Sequence, residues 1–439
     1  MAIIPQKKLF GWREVEELGD LERLVLVLES MPDERLVRAM EEVRYKGRDD
    51  YPVRAVWNSI LAGIVYEHNT IASLRRELKR NAQLRELCGF DPWKGVEAVP
   101  TDFAYSRFLN RLMTTYSHLV EEMFNSLVET AMELLPDFGS VLAIDGKALP
   151  SFANGKSDQK PDGRRDVDGD WGKKVYKGNR ADGTPYEKVV KWFGYRLHLI
   201  VDAEYELPVH YRVTPASNAE IIEAHGMINI LASQHPELLE RCGELSADRG
   251  YDDTKFIEKL WDEYGIKPVI DIRNMWKEDH DKTRLLGDHT NVGYDFKGTI
   301  YCYCPSETKE RQMAYGGFEE DRQTLKYRCP ATHYGIECEG QNQCPVSRGI
   351  RIKMSENRRL FTPIARSSYK WGRSYKKRTA VERVNSRIDG FFNFENHNIR
   401  GLQKMNIRCG LAFCVMLSMA VGRVKQERPD LMRSLVASA

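Results

Sequence analysis

Along the first third of the chain, apolar side chains recur every three to four positions. Leu21, Leu24, Val25, Val27 and Leu28 form one such set and Val56, Ile60, Leu61, Ile64 and Val65 another, the period of helices that bury one face. Ser73 to Arg80 is a basic amphipathic piece, Pro92 and Pro100 interrupt it, and Thr101 or Asp102 is placed to cap a helix running through Arg111. Residues 1–135 are therefore expected to be all-helical. The basic helices leave two readings open, a DNA-docking face or an ordinary solvated one.

The pattern changes near Ser140. Val141 to Ile144 is a continuous apolar run, as in a buried strand, and it ends at Asp145-Gly146. Ser157 to Lys188 is polar, rich in Gly and Asp and without an apolar period, which predicts a long loop. Tyr195 to Val201 alternates and pairs, across a short turn, with Pro208 to Val213, a hairpin. Asn218 is placed to cap a helix carrying Ile221, Ile222, His225, Ile228 and Leu231. Gly243 to Ala247 is a short strand ending at Asp248, Asp253 to Tyr264 a helix stopped by Gly265, and Ile266 to Ile272 another strand. Strands and helices in this order predict a mixed α/β layer. Residues 274–360 lack a helical period, and from Ser374 onward helices return, ending in an apolar one from Leu411 to Val421. Four segments follow: 1–135, 136–273, 274–360 and 361–439. No repeat at solenoid or propeller periods is present.

Composition narrows the class. With 42% hydrophobic and 30% charged residues in 439, the chain has a globular balance. A net charge of +2, from 66 basic and 64 acidic residues, excludes a purely electrostatic DNA coat. The longest uncharged apolar stretch, Gly410 to Gly422, falls short of the ~20 residues needed to cross a bilayer, so no membrane partner is expected. Lys7, Lys8 and Arg13 stand without an apolar core or cleavage site, so no signal peptide is expected. Nine cysteines, five of them between Cys302 and Cys344, do not form a secreted disulfide framework; a reducing cytoplasm fits better.

Candidate chemistry sits where strands end. Asp145 follows the first apolar run and Asp248 the fourth, and active groups of α/β sheets gather at carboxyl ends of strands; each could equally be a plain strand terminator. In Tyr375 to Asp389, Tyr375, Arg378, Glu382, Ser386 and Asp389 fall at steps of three and four on one stripe, with Val381, Val384 and Ile388 on another. That presents Glu382 beside an apolar anchor, as a site carboxylate or as one of a set of surface ion pairs.

Together these residues resemble bacterial insertion-sequence transposases of the DDE class, through most of the chain. Ile144-Asp145-Gly146-Lys147 looks like the family's first-aspartate strand, and Ala247-Asp248-Arg249-Gly250-Tyr251-Asp252 like its second-aspartate turn. Tyr375, Arg378 and Glu382 fit its Tyr, Arg three on and Glu four further. The resemblance implies a ribonuclease-H-like catalytic domain, behind an all-helical N-terminal domain for DNA-end binding or dimerisation, with a Cys-rich insertion at 274–360. It implies catalytic and Mg²⁺-binding roles for Asp145, Asp248 and Glu382, with Mn²⁺ as substitute. Double-stranded DNA, as element ends and target, is the implied partner of a homodimer or higher oligomer in the bacterial cytoplasm, at the nucleoid. One position departs: the family often has a lysine seven residues after the glutamate, and here it is Asp389, read as a solvated acid or as a group approaching the metal site.

Charge patterning adds to this. From Arg348 to Arg378 eleven Lys/Arg face one acid, Glu356, with Tyr369, Trp371 and Tyr375 interleaved, which suits phosphate tracking with base stacking. Arg373, Tyr375, Lys376, Lys377 and Arg378 are the expected DNA contacts; an exposed linker is the alternative. Cys304, Cys329, Cys338 and Cys344 supply enough thiolates for a structural Zn²⁺, although their spacing is irregular; reduced, partly buried thiols are the alternative. Two other functions share these residues: a metal-dependent nuclease of the same fold, and a transposase-derived DNA-binding protein without catalysis.

Overall fold

The computed structural model describes residues 19–43, 51–153, 155, 166–180, 183–276, 283–304 and 309–436. The leading segment is helical, as its period predicts: α1 (Glu22–Ser30), α2 (Glu34–Glu42), α3 (Val53–Val65), α4 (Ile71–Arg80), α5 (Ala82–Cys88), α6 (Asp102–Thr114) and α7 (Ser117–Leu134). Their starts are set by local chemistry. Thr70 and Ser73 form a reciprocal capping box at α4, and Thr101, rather than Asp102, accepts the Ala104 N–H at 3.2 Å to cap α6.

The central sheet is built from β1 (Val141–Pro150), β2 (Asp170–Asn179), β3 (Pro185–Asp202), β4 (Leu207–Pro215), β5 (Glu244–Ala247) and β6 (Lys267–Ile270). Strand β3 is long enough to serve two partnerships. Its second half lies between β4 and β1, both antiparallel to it, and its first half pairs with β2. On the other side of β1, β5 and then β6 add in parallel, so the body of the sheet runs β4-β3-β1-β5-β6. Helices α8 (Glu220–Gln234), α9 (Pro236–Arg241) and α10 (Thr254–Glu258) make the crossovers.

Two expectations are corrected here. The polar stretch read as a loop from Ser157 to Lys188 contains β2 and the start of β3; residues 156–165 and 181–182 lie outside the described set. The β2–β3 ribbon projects from the sheet with both faces largely exposed, so no apolar alternation marks it in the sequence. Asn218 is not the cap of α8: it donates to Glu223 Oε1 at 2.9 Å, and Ile222 points outward, 69% exposed.

Residues 284–353 carry two small sheets. One holds β7 (Arg284–Leu285), β8 (Val292–Tyr294), β9 (Ile300–Tyr303) and β10 (Glu310–Gln312); the other holds β11 (Ala314–Glu319), β12 (Thr324–Arg328) and β13 (Ile350–Lys353), with α11 (Pro330–Tyr334) between its last two strands. They enclose their own apolar cluster around Ile300, Leu325, Tyr327, Ile352 and Phe361. The chain then returns through α12 (Tyr369–Lys376) and α13 (Thr379–Phe392) to α14 (Leu402–Lys425). By length and apolarity α14 would pass for a membrane helix, but nearly all of it is buried against α7, α1, α3 and β4. One continuous core joins it to the leading helices and the sheet.

Gly410 marks the tightest approach to that helix. A Cβ there would lie 2.4 Å from the Tyr211 hydroxyl of β4 and 3.1 Å from a Val120 methyl of α7, so glycine is what lets strand and helix meet. We expect Gly410→Ala to lower unfolding free energy by about 1–3 kcal/mol through overpacking. Adding Tyr211→Phe should restore most of it, read by urea denaturation.

Candidate active site

Sheet register brings Asp145 and Asp248 together. Ile144 of β1 lies opposite Ala247 of β5, so the aspartates that follow are neighbours across two parallel strands. Asp145 does not end its strand, however; β1 continues to Pro150 because β3 pairs with it all the way, Asp145 opposite Leu199. Each carboxylate is held by a glycine amide, one residue on for Asp145 and two for Asp248. Gly146 N donates to Asp145 Oδ1 at 2.8 Å, and Gly250 N to Asp248 Oδ1 at 2.7 Å. Burial pushes the Asp145 carboxyl above its ordinary range; Lys174 of β2 pulls it back, Asp248 adds to the rise and Arg378 opposes it.

A third acid shares this space, and sequence reasoning missed it. Glu220 opens α8, and its carboxylate reaches between the two glycines. A Cβ on Gly146 would lie 2.5 Å from Glu220 Oε1, and a Cβ on Gly250 would lie 2.8 Å from both Glu220 Oε2 and Asp248 Oδ1. Arg196 of β3 is its counterion, Nη1 to Oε1 at 3.1 Å. Burial raises the Glu220 carboxyl too, Arg196 lowers it, and Asp145 and Asp248 raise it again. An acid in the first turn of a helix is ordinary, since it complements the helix dipole, so the sequence carries no signal that singles it out.

Glu382 is linked to Asp145 through Arg378, which pairs with the one and acts on the other. The expected stripe is split between two helices, with a break at Lys377-Arg378 between α12 and α13. The Tyr375 ring stacks on Trp371, centroids 4.6 Å apart, and the Arg378 guanidinium lies 5.7 Å from the Tyr375 centroid. Arg378 also pairs with Glu382 at 2.8 Å. Burial works against the Arg378 charge, but Glu382, Tyr375 and Asp145 outweigh it and raise its pKa. As expected, Val381, Val384 and Ile388 are fully buried. Arg383 and Arg387, on another side of α13, both pair with Glu206 in the β3–β4 turn. Beyond Glu382, the polar face of α13 opens on a cleft of about 490 Å³ lined by Asn385, Ser386, Asp389 and Glu395.

Asp389 is neither a solvated acid nor a member of the Asp145–Asp248 pair. It forms an ion pair with Lys147 of β1, Nζ to Oδ2 at 2.5 Å. Position 389 thus still faces an ammonium group, delivered from the strand instead of the helix, and the pair fixes the register of α13 on β1.

The basic stretch is less open than its composition predicts. Arg351 pairs with Glu319, Arg358 with Asp262, Arg359 bidentately with Asp252, and Lys377 with Glu204. Arg366 donates to the Ile270 and Leu360 carbonyls. Of the five expected DNA contacts, Arg373 and Lys376 are exposed, Tyr375 is half-buried, and Lys377 and Arg378 are engaged in ion pairs. Arg273 and Arg359, on either side of the 284–353 sheets, both meet Asp252, which accepts the Arg273 N–H at 2.8 Å.

Among the described residues, no group of three or more His, Cys, Asp or Glu side chains is arranged to hold a metal ion. For the cysteines, Cys338 pairs with Cys304, while Cys302 faces Cys329, Cys344 and Cys338, and burial first, then these neighbours, push its thiol up to about 11. The four thiols named for zinc therefore lie in one region without forming a tetrahedral set. For the carboxylates, Arg378 pairs with Glu382 and Arg196 with Glu220.

The family model described as "Transposase DDE domain" matches residues 136–418, more than half of the chain. The chain belongs to the DDE transposase family. No curated protein matches it. Among solved structures, one that is similar is the cryo-EM structure of a piggyBac transposase synaptic complex with hairpin DNA. Its identity to this transposase is 11% and its TM-score 0.29, over 97% of this chain and 87% of that one. Transposase DDE domains depend on divalent metal, and the hard carboxylate oxygens of Asp145 and Asp248 fit a cation such as Mg²⁺.

The Lys147–Asp389 pair is testable by charge reversal. Lys147→Asp or Asp389→Lys alone should cost about 1–2 kcal/mol, between the limits for exposed and buried pairs. The double exchange should recover most of it in a double-mutant cycle of denaturation free energies.

Proposed function

We propose that this transposase cleaves DNA at the ends of a mobile element and joins the freed 3′-hydroxyl to target DNA, with Asp145, Asp248 and Glu382 as its metal-binding carboxylates. The observation that carries the reading is the adjacency of Asp145 and Asp248 on parallel strands; Arg378, which pairs with Glu382 and acts on the Asp145 carboxyl, supports it. The strand order β4-β3-β1-β5-β6, three antiparallel strands followed by two parallel ones, supports a ribonuclease-H-like catalytic domain. On this reading the element is a bacterial insertion sequence, and the enzyme works in the cytoplasm as an oligomer on paired ends of double-stranded DNA.

In the first step, water adds to the scissile phosphorus and the bond to the 3′-oxygen breaks, leaving a 3′-hydroxyl. In the second, that hydroxyl adds to a target phosphorus and displaces a second 3′-oxygen, so the number of phosphodiesters is conserved. Two bound Mg²⁺ ions would activate the attacking oxygen and stabilise the leaving one. The chain supplies the rest. Arg378, preorganised by the Tyr375 ring, binds the scissile phosphate; a phosphate oxygen competes with Glu382 for its guanidinium, and Glu382 is released towards the aspartates. Lys174 offsets the negative charge beside Asp145. Arg373 and Lys376, exposed on α12, track the flanking backbone, and the 284–353 sheets extend the DNA-facing surface beside the Asp248 loop.

Asp145→Asn, Asp248→Asn and Glu382→Gln should each lower joining of a labelled 3′-hydroxyl end by about 10³-fold or more, while gel-shift affinity for DNA stays near wild type. Joining at the wild-type rate by any of them removes that residue from the mechanism. Cleavage by the wild type without joining identifies a nuclease.

A further inference from the structure

Glu220 is an acid that the DDE triad does not use, yet it lies beside Asp248 and over the glycine that follows Asp145. Its two oxygens face opposite ways. Oε1 is on Arg196 and close above Gly146; Oε2 and Asp248 Oδ1 both lie 2.8 Å from the point where a Gly250 side chain would begin. A side chain at position 146 would displace the Glu220 carboxylate, and one at 250 would displace it and Asp248.

A second observation points into the same space. The Tyr251 side chain is completely buried, and its hydroxyl has no hydrogen-bond partner among the described residues. Asp145, Glu220 and Asp248 all act on it electrostatically. A buried hydroxyl is costly unless paired. Three carboxylates act on it; among the described residues, Glu220 is the one of them in an ion pair with an arginine, and a cation with its bound water would satisfy hydroxyl and carboxylates together.

We propose that Glu220 is a fourth metal-binding carboxylate of this site, sharing a divalent cation with Asp248 and Asp145, and that Arg196 is its resting counterion. This rests on the metal-dependent reading above. It differs from that reading in making part of the cation site independent of Glu382, its carboxylates closing when the cation itself displaces Arg196 from Glu220. Arg196 is then a positioning residue: it holds the carboxylate over the glycines but gives up Oε1 when a cation with a higher charge arrives.

The test is Mn²⁺ binding to the full chain without DNA, followed by the electron paramagnetic resonance signal of free Mn²⁺. Glu220→Gln, which keeps a hydrogen-bond acceptor for Arg196, should weaken binding by about tenfold or more or lose one of two ions. Glu220→Asp, which keeps the charge but retracts it, should fall between, and it carries the test if the glutamine variant melts early. Arg196→Met separates the two roles: a metal ligand predicts unchanged or tighter Mn²⁺ binding, whereas a mere salt-bridge partner predicts that Arg196→Met and Glu220→Gln behave alike. Wild-type binding by Glu220→Gln, with Asp145→Asn weakened, overturns the fourth carboxylate and leaves the triad standing. Wild-type binding by Asp145→Asn and Asp248→Asn as well overturns both.

Discussion

Mutual repulsion of carboxylates held in a partly desolvated space is the constraint on which this structure depends. Asp145, Asp248 and Glu220 are brought together by the sheet and by the start of α8, and burial penalises the charge on Asp145 and Glu220. Like charges so placed persist only if the fold supplies compensation. It comes from the Gly146 and Gly250 amides, from Arg196 on β3, from Lys174 on the β2–β3 ribbon and from Arg378 at the α12–α13 break. Each compensating group belongs to a different element, so the site is also the point at which those elements are registered.

The helix that carries Glu382 shows how that registration is achieved. Its apolar side, Val381, Val384 and Ile388, fixes the helix against the core by burial. Burial alone would leave sliding along the axis cheap. Two polar contacts stop it: Asp389 to Lys147 on β1, and Arg383 with Arg387 to Glu206 in the β3–β4 turn. Lys147 lies on β1 two residues beyond Asp145, so the strand that carries the aspartate also anchors the helix that carries Glu382.

Much of the site was legible in the sequence. Asp145 and Asp248 follow apolar runs, and the Tyr375–Arg378–Glu382 spacing is a helical stripe. The β2–β3 ribbon was not legible, because a two-stranded projection exposed on both faces needs no alternating pattern. Glu220 was not legible either, since a glutamate opening a helix looks like dipole compensation. The basic run from Arg348 read as a DNA track because a sequence does not show which acids lie opposite. Asp252, Asp262, Glu204 and Glu319 are distant in sequence from the arginines and lysine they neutralise.

By itself, then, the sequence determined the periodic elements, the aspartates that follow apolar runs and the glutamate helix, because hydrophobic period and cap chemistry act over a few residues. Only the tertiary structure decided which acids share one space, which cations are already engaged and where the ammonium opposite position 389 comes from. Those are pairings between residues as far apart as Lys147 and Asp389, and they exist only once the core has closed.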